Sequence, residues 1–312
     1  MSPAPIEDRR LTGIVFIILA CILFTGIDSC AKWLVLSGLP AMWVVFVRYS
    51  VHMLVVAALF LPTRGLFLFS TGKPWIAIAR GVCLLASSAF NFKAVEYLPL
   101  TLTGAIFFTV PLWTCALSIP ILGESVGIRR WAAILVGFGG VIVATRPWGA
   151  DFHWAVLLSM AAALCAALYA ILTRRLAGID STATQQVYSA TLCTAGVAPV
   201  AFTEWSWPTG QTDWLAFALI GLFGAGGHQL LTVAHRFAPA TTLAPFMYVQ
   251  IVFMTASSWL IFNAPPDPLV LVGAAIVLAS GLYIWLRERD LVKAGRLQEP
   301  RQSEGTELSG PR

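Results

Sequence analysis

Charged side chains are scarce in this sequence. Its 312 residues include 20 Lys and Arg and 15 Asp and Glu, so only 11% of the chain is charged while 58% is hydrophobic. A soluble globular protein carries about 25% charged and about 45–50% apolar residues. Both departures go in the same direction, and the mean hydropathy is +0.80. The composition excludes a water-soluble enzyme and a disordered protein, and it predicts a membrane protein.

Sequence motifs of catalysis and of metal binding are also missing. The six cysteines have no CxxC spacing, and the four histidines (His52, His153, His228 and His235) are scattered along the chain. The sequence contains no HExxH motif, no cluster of paired carboxylates and no nucleotide-binding loop. We therefore expect no catalytic residues, no metal and no cofactor. A membrane-embedded enzyme is the weaker alternative to a protein that carries solutes.

Long apolar runs take up most of the chain. A helix that spans a bilayer needs roughly 20 mainly apolar residues. Ten segments meet this need: 11–33, 41–61, 75–97, 100–121, 130–145, 153–173, 184–203, 213–235, 241–262 and 268–287. They leave short connections and two tails, without the sizeable extramembrane region typical of a receptor or scaffold. The pattern predicts an all-α integral membrane protein with ten transmembrane helices.

Basic residues outside these spans concentrate on alternate connections. Cytoplasmic loops carry an excess of Lys and Arg, because basic flanks resist translocation. If the N-terminus is cytoplasmic, the outer loops keep only Arg146. The basic residues at the inner face are then Arg9, Arg10, Arg64, Lys73, Arg80, Arg129, Arg130, Arg174, Arg175, Arg236, Arg287, Arg289, Lys293, Arg296, Arg301 and Arg312. We expect both termini in the cytoplasm. The net charge of +5 then reflects anchoring at the inner face of the lipid bilayer and not binding of a nucleic acid.

The two halves of the chain repeat one pattern. Residues 97–112 (YLPLTLTGAIFFTVPL) match residues 237–252 (FAPATTLAPFMYVQIV) at an offset of 140. A second match begins at Trp131 and at Gly273, where the offset has grown to 142. One short insertion accounts for the difference between the two offsets. Two matches in the same order predict an internal duplication.

The duplication has a topological consequence. Each unit contains five spans, an odd number, so the second unit enters the membrane the other way up. The sequence predicts two inverted five-helix repeats, at 11–146 and 147–287. A cytoplasmic tail at 1–10 precedes them, and a disordered cytoplasmic tail at 288–312 follows. Inverted repeats are a common way to build transporters, with the substrate site between the halves near the midplane.

Two prolines lie within predicted spans at related depths, Pro111 in span four and Pro245 in span nine. A proline inside a helix frees a backbone carbonyl, which is tolerated in the membrane beside a cavity. The prolines therefore predict interrupted helices next to the substrate pathway. The alternative is a pair of kinks that only improve helix packing.

The chain resembles the drug/metabolite transporter superfamily, and within it the EamA-type branch. The residues that carry the resemblance are Tyr97-Leu98-Pro99-Leu100, Leu122-Gly123-Glu124, Gly137 to Gly140, Ala238-Pro239-Ala240 and Leu243-Ala244-Pro245-Phe246. The second unit has Asn263-Ala264 where the first has Gly123-Glu124, so that loop is not duplicated. The resemblance implies ten helices and transport of a small-molecule solute.

Within that family, Asp28 to Lys32, Arg48 and Gly227-His228 resemble the proteobacterial branch that includes riboflavin and S-adenosylmethionine uptake proteins. This implies a multi-pass protein of the bacterial inner membrane. The resemblance does not separate the two substrates. Other members of the family export amino acids or drugs, so the direction of transport also stays open.

Ionisable residues inside the spans are the first candidates for the substrate pathway. A charge near the bilayer centre costs about 2.5–3.5 kcal/mol, so it normally faces protein or water and has a partner. Asp28 and Lys32 are four residues apart on one helix face and can pair, and Arg48 and His52 repeat that spacing on span two. We expect these groups to form a polar cluster beside a cavity. The alternative is a set of ion pairs that only lock spans one to three together.

Lys93 and Glu96 are a similar pair closer to the interface, where a structural role is favoured. The second unit supplies mostly neutral polar side chains instead. Its candidates for the pathway are Gln185, Tyr188, His228, Thr232 and Tyr248.

Charges on one side of a cavity and amides and hydroxyls on the other suit a small amphipathic metabolite. A neutral tricyclic ring with a polyol tail fits best, which makes riboflavin uptake by alternating access the leading hypothesis. The cation S-adenosylmethionine requires a carboxylate, and both Asp28 and Glu96 have a basic neighbour. S-adenosylmethionine uptake and amino-acid or drug efflux remain the alternatives. The coupling ion and the oligomeric state stay open.

Overall fold

The computed structural model describes residues 7–122, 128–149, 152–176, 179–237, 243 and 246–293. Every regular element in these ranges is a helix, as the sequence predicts. The helices are α1 (Glu7–Leu36), α2 (Ala41–Arg64), α3 (Pro74–Tyr97), α4 (Leu100–Phe107), α5 (Val110–Leu122), α6 (Ile128–Thr145), α7 (Ala155–Leu176), α8 (Thr182–Ala201), α9 (Gln211–Phe237), α10 (Gln250–Leu260) and α11 (Pro268–Lys293).

The apolar runs explain why the chain folds this way. In lipid every backbone N–H and C=O needs a partner within the protein, and a helix supplies these partners locally. Seven segments of the described chain are long and apolar enough to cross a membrane, and Trp131–Thr145 is a shorter apolar helix. Helical residues occur in all ten predicted spans. Large apolar side chains face outward along them, including Leu54 (62% exposed), Leu135 (66%) and Val252 (61%). Such faces suit lipid.

The predicted tails differ from the structure at their inner ends. Helix α1 begins at Glu7, inside the tail predicted at 1–10, and α11 continues to Lys293, inside the tail predicted as disordered. Arg, Glu, Leu and Lys are good helix formers, so backbone hydrogen bonding continues beyond the apolar run. The remaining residues of both tails lie outside the described residues.

Two of the spans are interrupted at equivalent positions. Helices α4 and α5 are separated by a turn at Phe108 and Thr109, and the chain turns again at Tyr248 and Val249 before α10. The turns are 140 residues apart, which is the offset of the repeat. The rings of Phe108 and Tyr248 lie 5.7 Å apart, so the two interruptions contact each other.

Pro111 accounts for the first interruption, because proline lacks an N–H and its ring clashes with the carbonyl four residues earlier. The hydroxyl of Thr109 donates to the carbonyl of Ile106 at 2.6 Å, which satisfies one backbone group at the break. Pro245 lies outside the described residues.

The main helix contacts join the two halves of the chain. Helix α1 packs on α9, α2 on α8 and α9, α3 on α7 and α8, α4 on α10, and α6 on α11. Between α6 and α11 the backbones approach closely, since a Cβ at Gly140 would lie 2.7 Å from the carbonyl oxygen of Gly273. The largest buried cluster, which includes Val44, Phe92 and Ile220, is likewise built from both halves.

Candidate functional site

Buried and half-buried polar side chains from four helices meet where the halves pack together. Asp28 of α1 bonds Asn91 of α3, Arg48 of α2 bonds Ser88 of α3, and His52 of α2 stacks on His228 of α9. These pairs are linked along the chain, because Ser88 and Asn91 are three residues apart and Arg48 and His52 are four apart. We call Asp28, Arg48, His52, Ser88, Asn91 and His228 the central polar cluster. The structure thus brings polar groups of α1, α2, α3 and α9 close together.

Arg48 is the most buried charge of this cluster, with 8% of its surface exposed. Its Nη1 donates to Ser88 Oγ at 3.0 Å, and the Tyr49 hydroxyl lies 2.6 Å from the same oxygen. The guanidinium also lies over the rings of Tyr49 (4.9 Å) and Phe92 (5.3 Å), whose faces attract a cation. Within the described residues, Arg48 forms no ion pair and its Nε has no hydrogen-bond partner.

The predicted pair between Asp28 and Lys32 is wrong. Asp28 Oδ1 accepts a hydrogen bond from Asn91 Nδ2 at 3.0 Å. Lys32 Nζ instead donates to the carbonyls of Val95 (3.0 Å) and Leu98 (2.6 Å) at the C-terminus of α3. These carbonyls belong to the negative end of the helix dipole, which favours a cation. The lysine thus caps a neighbouring helix, and the carboxylate is left with an amide partner.

The two histidines lie face to face in the interior. The rings of His52 and His228 are 5.6 Å apart at an interplanar angle of 16°, and Phe24 contacts His228 at 5.2 Å. His52 is 4% exposed, and in the described part of the chain neither of its nitrogens has a hydrogen-bond partner. The His52 ring is therefore buried while its nitrogens are unpartnered within the described residues.

The remaining candidates lie outside the central polar cluster. Lys93 and Glu96 form the predicted pair at 2.8 Å, and the two side chains are 42% and 30% exposed. Tyr248 packs against Phe108 and Gly281 at the interrupted helices.

Two candidates lie on α8. Gln185 donates through Nε2 to the carbonyl of Asp180 at 3.2 Å, and Tyr188 is half-buried one turn further along. Thr232 lies on α9, but its side chain is outside the described residues. The predicted pathway residues are Asp28, Lys32, Arg48, Lys93, Gln185, Tyr188, His228, Thr232 and Tyr248. Of these nine, the structure brings together Asp28, Arg48 and His228.

Sequence reasoning missed a second buried arginine, Arg80 of α3. We expected it at the cytoplasmic face, whereas its side chain is 4% exposed. Its Nε donates to Thr173 Oγ1 at 2.7 Å and its Nη2 to the Tyr169 hydroxyl at 2.7 Å. Its Nη1 donates to the carbonyl of Gln185 at 2.9 Å and to Ser189 Oγ. The five N–H groups of guanidinium explain how one side chain joins α3, α7 and α8.

Ser88 and Asn91 were also missed, because neutral polar residues are common in spans. Their spacing of three residues on α3 is the one signal available, since it places both on the same face.

Carboxylates join the two halves at opposite ends of the molecule. At one end Asp180 accepts from the Thr71 hydroxyl at 2.5 Å and from the backbone N–H of Gly72 at 3.0 Å. At the other end Asp213 accepts from Trp33 Nε1 at 2.8 Å and from the Ser37 hydroxyl at 3.0 Å. The first-half connections on either side of α2 are therefore both tied to the second half.

A groove of about 470 Å³ opens between α6 and α11, with Arg129, Val136 and Tyr283 among its lining residues. None of its lining residues belongs to the central polar cluster, so the groove is separate from the candidate site. Among the described residues no group of three His, Cys, Asp or Glu side chains is placed to hold a metal.

Comparison with known proteins agrees with the resemblance seen in the sequence. The model of the EamA-like transporter family matches the chain twice, at residues 11–146 and 153–286. A riboflavin transporter of Rhizobium johnstonii is 30% identical over 285 residues, which cover 90% of this chain and 93% of that protein. An S-adenosylmethionine uptake transporter of Rickettsia felis is 28% identical over 282 residues, covering 89% and 94%.

A solved crystal structure matches 86% of this chain and 97% of its own chain, with a TM-score of 0.58 at 22% identity, which shows likeness of fold alone. The family model covers both halves of the sequence, and so the chain belongs to the EamA-like transporter family.

Proposed function

We propose that this protein is a secondary transporter that moves a small organic metabolite across the bacterial inner membrane by alternating access, and that riboflavin is its substrate. The observation that carries the proposal is the central polar cluster. It combines buried polar side chains of α1, α2 and α3 with His228 of α9, so both halves contribute to it. Ionisable groups at membrane depth mark substrate and ion pathways.

The helix contacts support two repeats related by a two-fold axis. When the halves are exchanged, the contact of α1 with α9 becomes that of α7 with α3, and the contact of α2 with α9 becomes that of α8 with α3. Phe108 and Tyr248, equivalent at the 140-residue offset, contact each other. Five spans in each repeat make the second repeat inverted, and one pattern in two orientations provides inward-open and outward-open states of similar energy.

The carboxylate contacts at the two ends support a gating role for the connections. Opening one face requires the contacts between the halves to release there while those at the other face hold. With both termini in the cytoplasm, as the basic residues favour, Asp180 holds the inner face and Asp213 the outer face. We assign these two carboxylates to the inner and outer gates.

The charge of the interior favours a substrate without net positive charge. The buried charges of the described helices are Lys32, Arg48 and Arg80 against Asp213, which lies at one end of the molecule, and the half-buried Asp28 adds a second carboxylate. This leaves an excess of one positive charge. In a medium of low dielectric constant this excess repels a cation over several ångströms. The uncharged flavin and polyol of riboflavin escape that repulsion, whereas S-adenosylmethionine carries a sulfonium and an ammonium group.

One observation favours S-adenosylmethionine as the second candidate. Asp28 bonds the Asn91 amide and not Lys32, so its carboxylate is available to a cationic substrate. One of the relatives described above carries the name of S-adenosylmethionine uptake. The two substrates therefore belong in one experiment.

Growth of a riboflavin auxotroph that lacks its own uptake system tests the proposal. Expression of the chain on limiting riboflavin should restore growth, and Arg48→Met at equal membrane levels should abolish the rescue. Uptake of labelled riboflavin and labelled S-adenosylmethionine by the same cells distinguishes the two substrates. Growth that is not restored despite verified membrane expression would remove riboflavin, and efflux from preloaded vesicles would establish the opposite direction.

A further inference from the structure

We propose that Arg48 and His52 bind the edge of a planar heterocycle in a niche at Gly224, and that the ligand presents a hydrogen-bond acceptor and an N–H donor on two atoms bonded to the same carbon. Lactams, imides and amidines have such an edge. The proposal rests on the proposed function, since it names the chemical group that the central polar cluster recognises. It adds a residue of α9 that the sequence did not single out for binding.

Unpartnered polar atoms are the first observation. Arg48 is 8% exposed and His52 4% exposed, yet in the described part of the chain Arg48 Nε and both nitrogens of His52 lack a hydrogen-bond partner. Buried polar groups in proteins are nearly always hydrogen-bonded, and an exception requires a specific explanation. Arg48 has already engaged Ser88 through Nη1, which fixes the direction of its guanidinium. Its Nε–H is thus a donor held in place for another group.

Gly224 is the second observation, and it is independent of the first. A methyl group built on Gly224 would lie 3.8 Å from Arg48 Nε and 3.9 Å from His52 Nδ1. The same point therefore faces two of the unpartnered atoms. Only a glycine leaves this space open, and the backbone of α9 forms its far wall.

The other glycines of α9 have a different role. A Cβ at Gly221 would collide with the side chain of Val51, and one at Gly227 would lie 2.8 Å from the ring of Phe24. Those glycines permit close helix packing. At Gly224 an added methyl would make only ordinary van der Waals contact, so helix packing does not require glycine there. The space at Gly224 serves the polar atoms that face it.

The chemistry of the two side chains defines the ligand edge. Arg48 Nε–H donates, so it binds a carbonyl oxygen or an unprotonated ring nitrogen. Nδ1 of a neutral His52 accepts when the proton is on Nε2, so it binds an N–H. The ring of His228 stacks on His52 at 5.6 Å and supports the orientation of the His52 ring. The imide of a flavin and the amidine edge of an adenine both satisfy this pattern.

Substitutions that fill the niche or remove its polar atoms test the proposal by uptake into proteoliposomes. Gly224→Ala should raise the KM of riboflavin uptake at least 10-fold without lowering the melting temperature. His52→Phe, which keeps a ring against His228 and removes the nitrogens, should do the same. Gly139→Ala is the matched control, because no atom lies within 4 Å of the added methyl on α6, and it should retain the wild-type KM.

A ligand that lacks the donor tests the same idea without any substitution. N3-methylriboflavin should compete at least 10-fold more weakly than riboflavin for the wild-type protein, and this preference should shrink in His52→Phe. Where labelled S-adenosylmethionine is the solute carried, its N6-dimethyl analogue serves as the corresponding probe.

The outcomes separate this inference from the proposed function. Uptake by the wild type with an unchanged KM in Gly224→Ala and in His52→Phe would mean that the niche holds only a bridging water, and the inference would fall while the transport function stood. A wild-type protein that carries neither solute in either direction would remove both proposals.

Discussion

Two buried arginines lie on neighbouring helices, and their environments are opposite. Arg80 directs all three nitrogens of its guanidinium at protein acceptors, two hydroxyls at 2.7 Å, a carbonyl at 2.9 Å and Ser189. Arg48 has one hydroxyl partner and two aromatic rings, and its Nε has no partner in the described chain. A guanidinium whose three nitrogens all have protein acceptors cross-links helices, whereas one with an unpartnered nitrogen is placed to bind.

The second half of the chain makes this difference. Its helices α7 and α8 supply every hydrogen-bond acceptor of Arg80. Beside Arg48 the same half presents Gly224, which has no side chain. The two arginines are therefore similarly buried but have different roles, because their hydrogen-bond partners differ. The following substitutions measure that difference.

The largest effect is expected at Arg80. Arg80→Met removes a buried charge with its hydrogen bonds and leaves polar groups on α7 and α8 without their donor, which should destabilise the protein by about 1–3 kcal/mol for each buried group left unsatisfied. Thermal unfolding of the purified protein and its folded yield measure this. Arg80→Lys is the control, and it should recover only part of the stability because lysine lacks the planar fork. If Arg80→Met were as stable as the wild type, Arg80 would not have the cross-linking role that distinguishes it from Arg48.

At Arg48 we expect a loss of transport with little loss of stability. Arg48→Met gives up one hydrogen bond, worth about 1 kcal/mol, while riboflavin uptake should fall at least 10-fold. Arg48→Lys retains the charge without the Nε–H group and should transport at an intermediate rate. Uptake kinetics and thermal unfolding on the same preparations check both statements. A destabilisation equal to that of Arg80→Met would assign Arg48 the same cross-linking role.

Asp28 and Lys32 extend the comparison of buried charges, because Asp28 bonds Asn91 while Lys32 bonds carbonyls at the end of α3. Asp28→Asn and Lys32→Met should each lower stability by about 1 kcal/mol, and the double variant should show the sum within about 0.5 kcal/mol, as expected for groups that do not interact. A double-mutant cycle of unfolding free energies measures the coupling. Coupling well above that limit would restore the ion pair predicted from the sequence.

The smallest effect is expected at a third arginine, which is exposed. Arg146 bonds Asp267, and the two side chains are 35% and 41% exposed. The backbone N–H of Leu269, at 2.7 Å, and the Arg146 guanidinium hold the pKa of Asp267 below its ordinary value of 3.8. A lowered pKa stabilises the folded protein above pH 3.8, and this contribution disappears as the pH falls through the folded-state pKa.

Arg146→Gln should therefore cost no more than about 1 kcal/mol at pH 7, because exposed pairs contribute little. The difference in melting temperature from the wild type should narrow from pH 7 to pH 3 and with added salt. An effect as large at pH 3 as at pH 7 would show that Arg146 acts through packing.

The sequence predicted the fold better than it predicted the partners within the site. Apolar length predicted the helices and Pro111 predicted the first interruption, because both follow from local backbone hydrogen bonding. The charges within the first-half spans predicted a polar cluster that includes Asp28 and Arg48, and the polar residues of the second half gave His228 as a separate pathway candidate. Spacing within one helix could not show that Lys32 extends to the end of α3, since a long side chain selects among partners on several helices.

The amino-acid sequence by itself determined that this is a helical membrane protein of two repeats in the EamA-like transporter family. Those properties depend on hydropathy, residue order and duplication, all of which can be read from the linear sequence. Only the tertiary structure decided which arginine has all three nitrogens bonded to protein acceptors, which carboxylate lacks a lysine partner, and which glycine faces unpartnered nitrogens. Helix crossings set these distances, because groups far apart in the chain become neighbours when the two halves pack together.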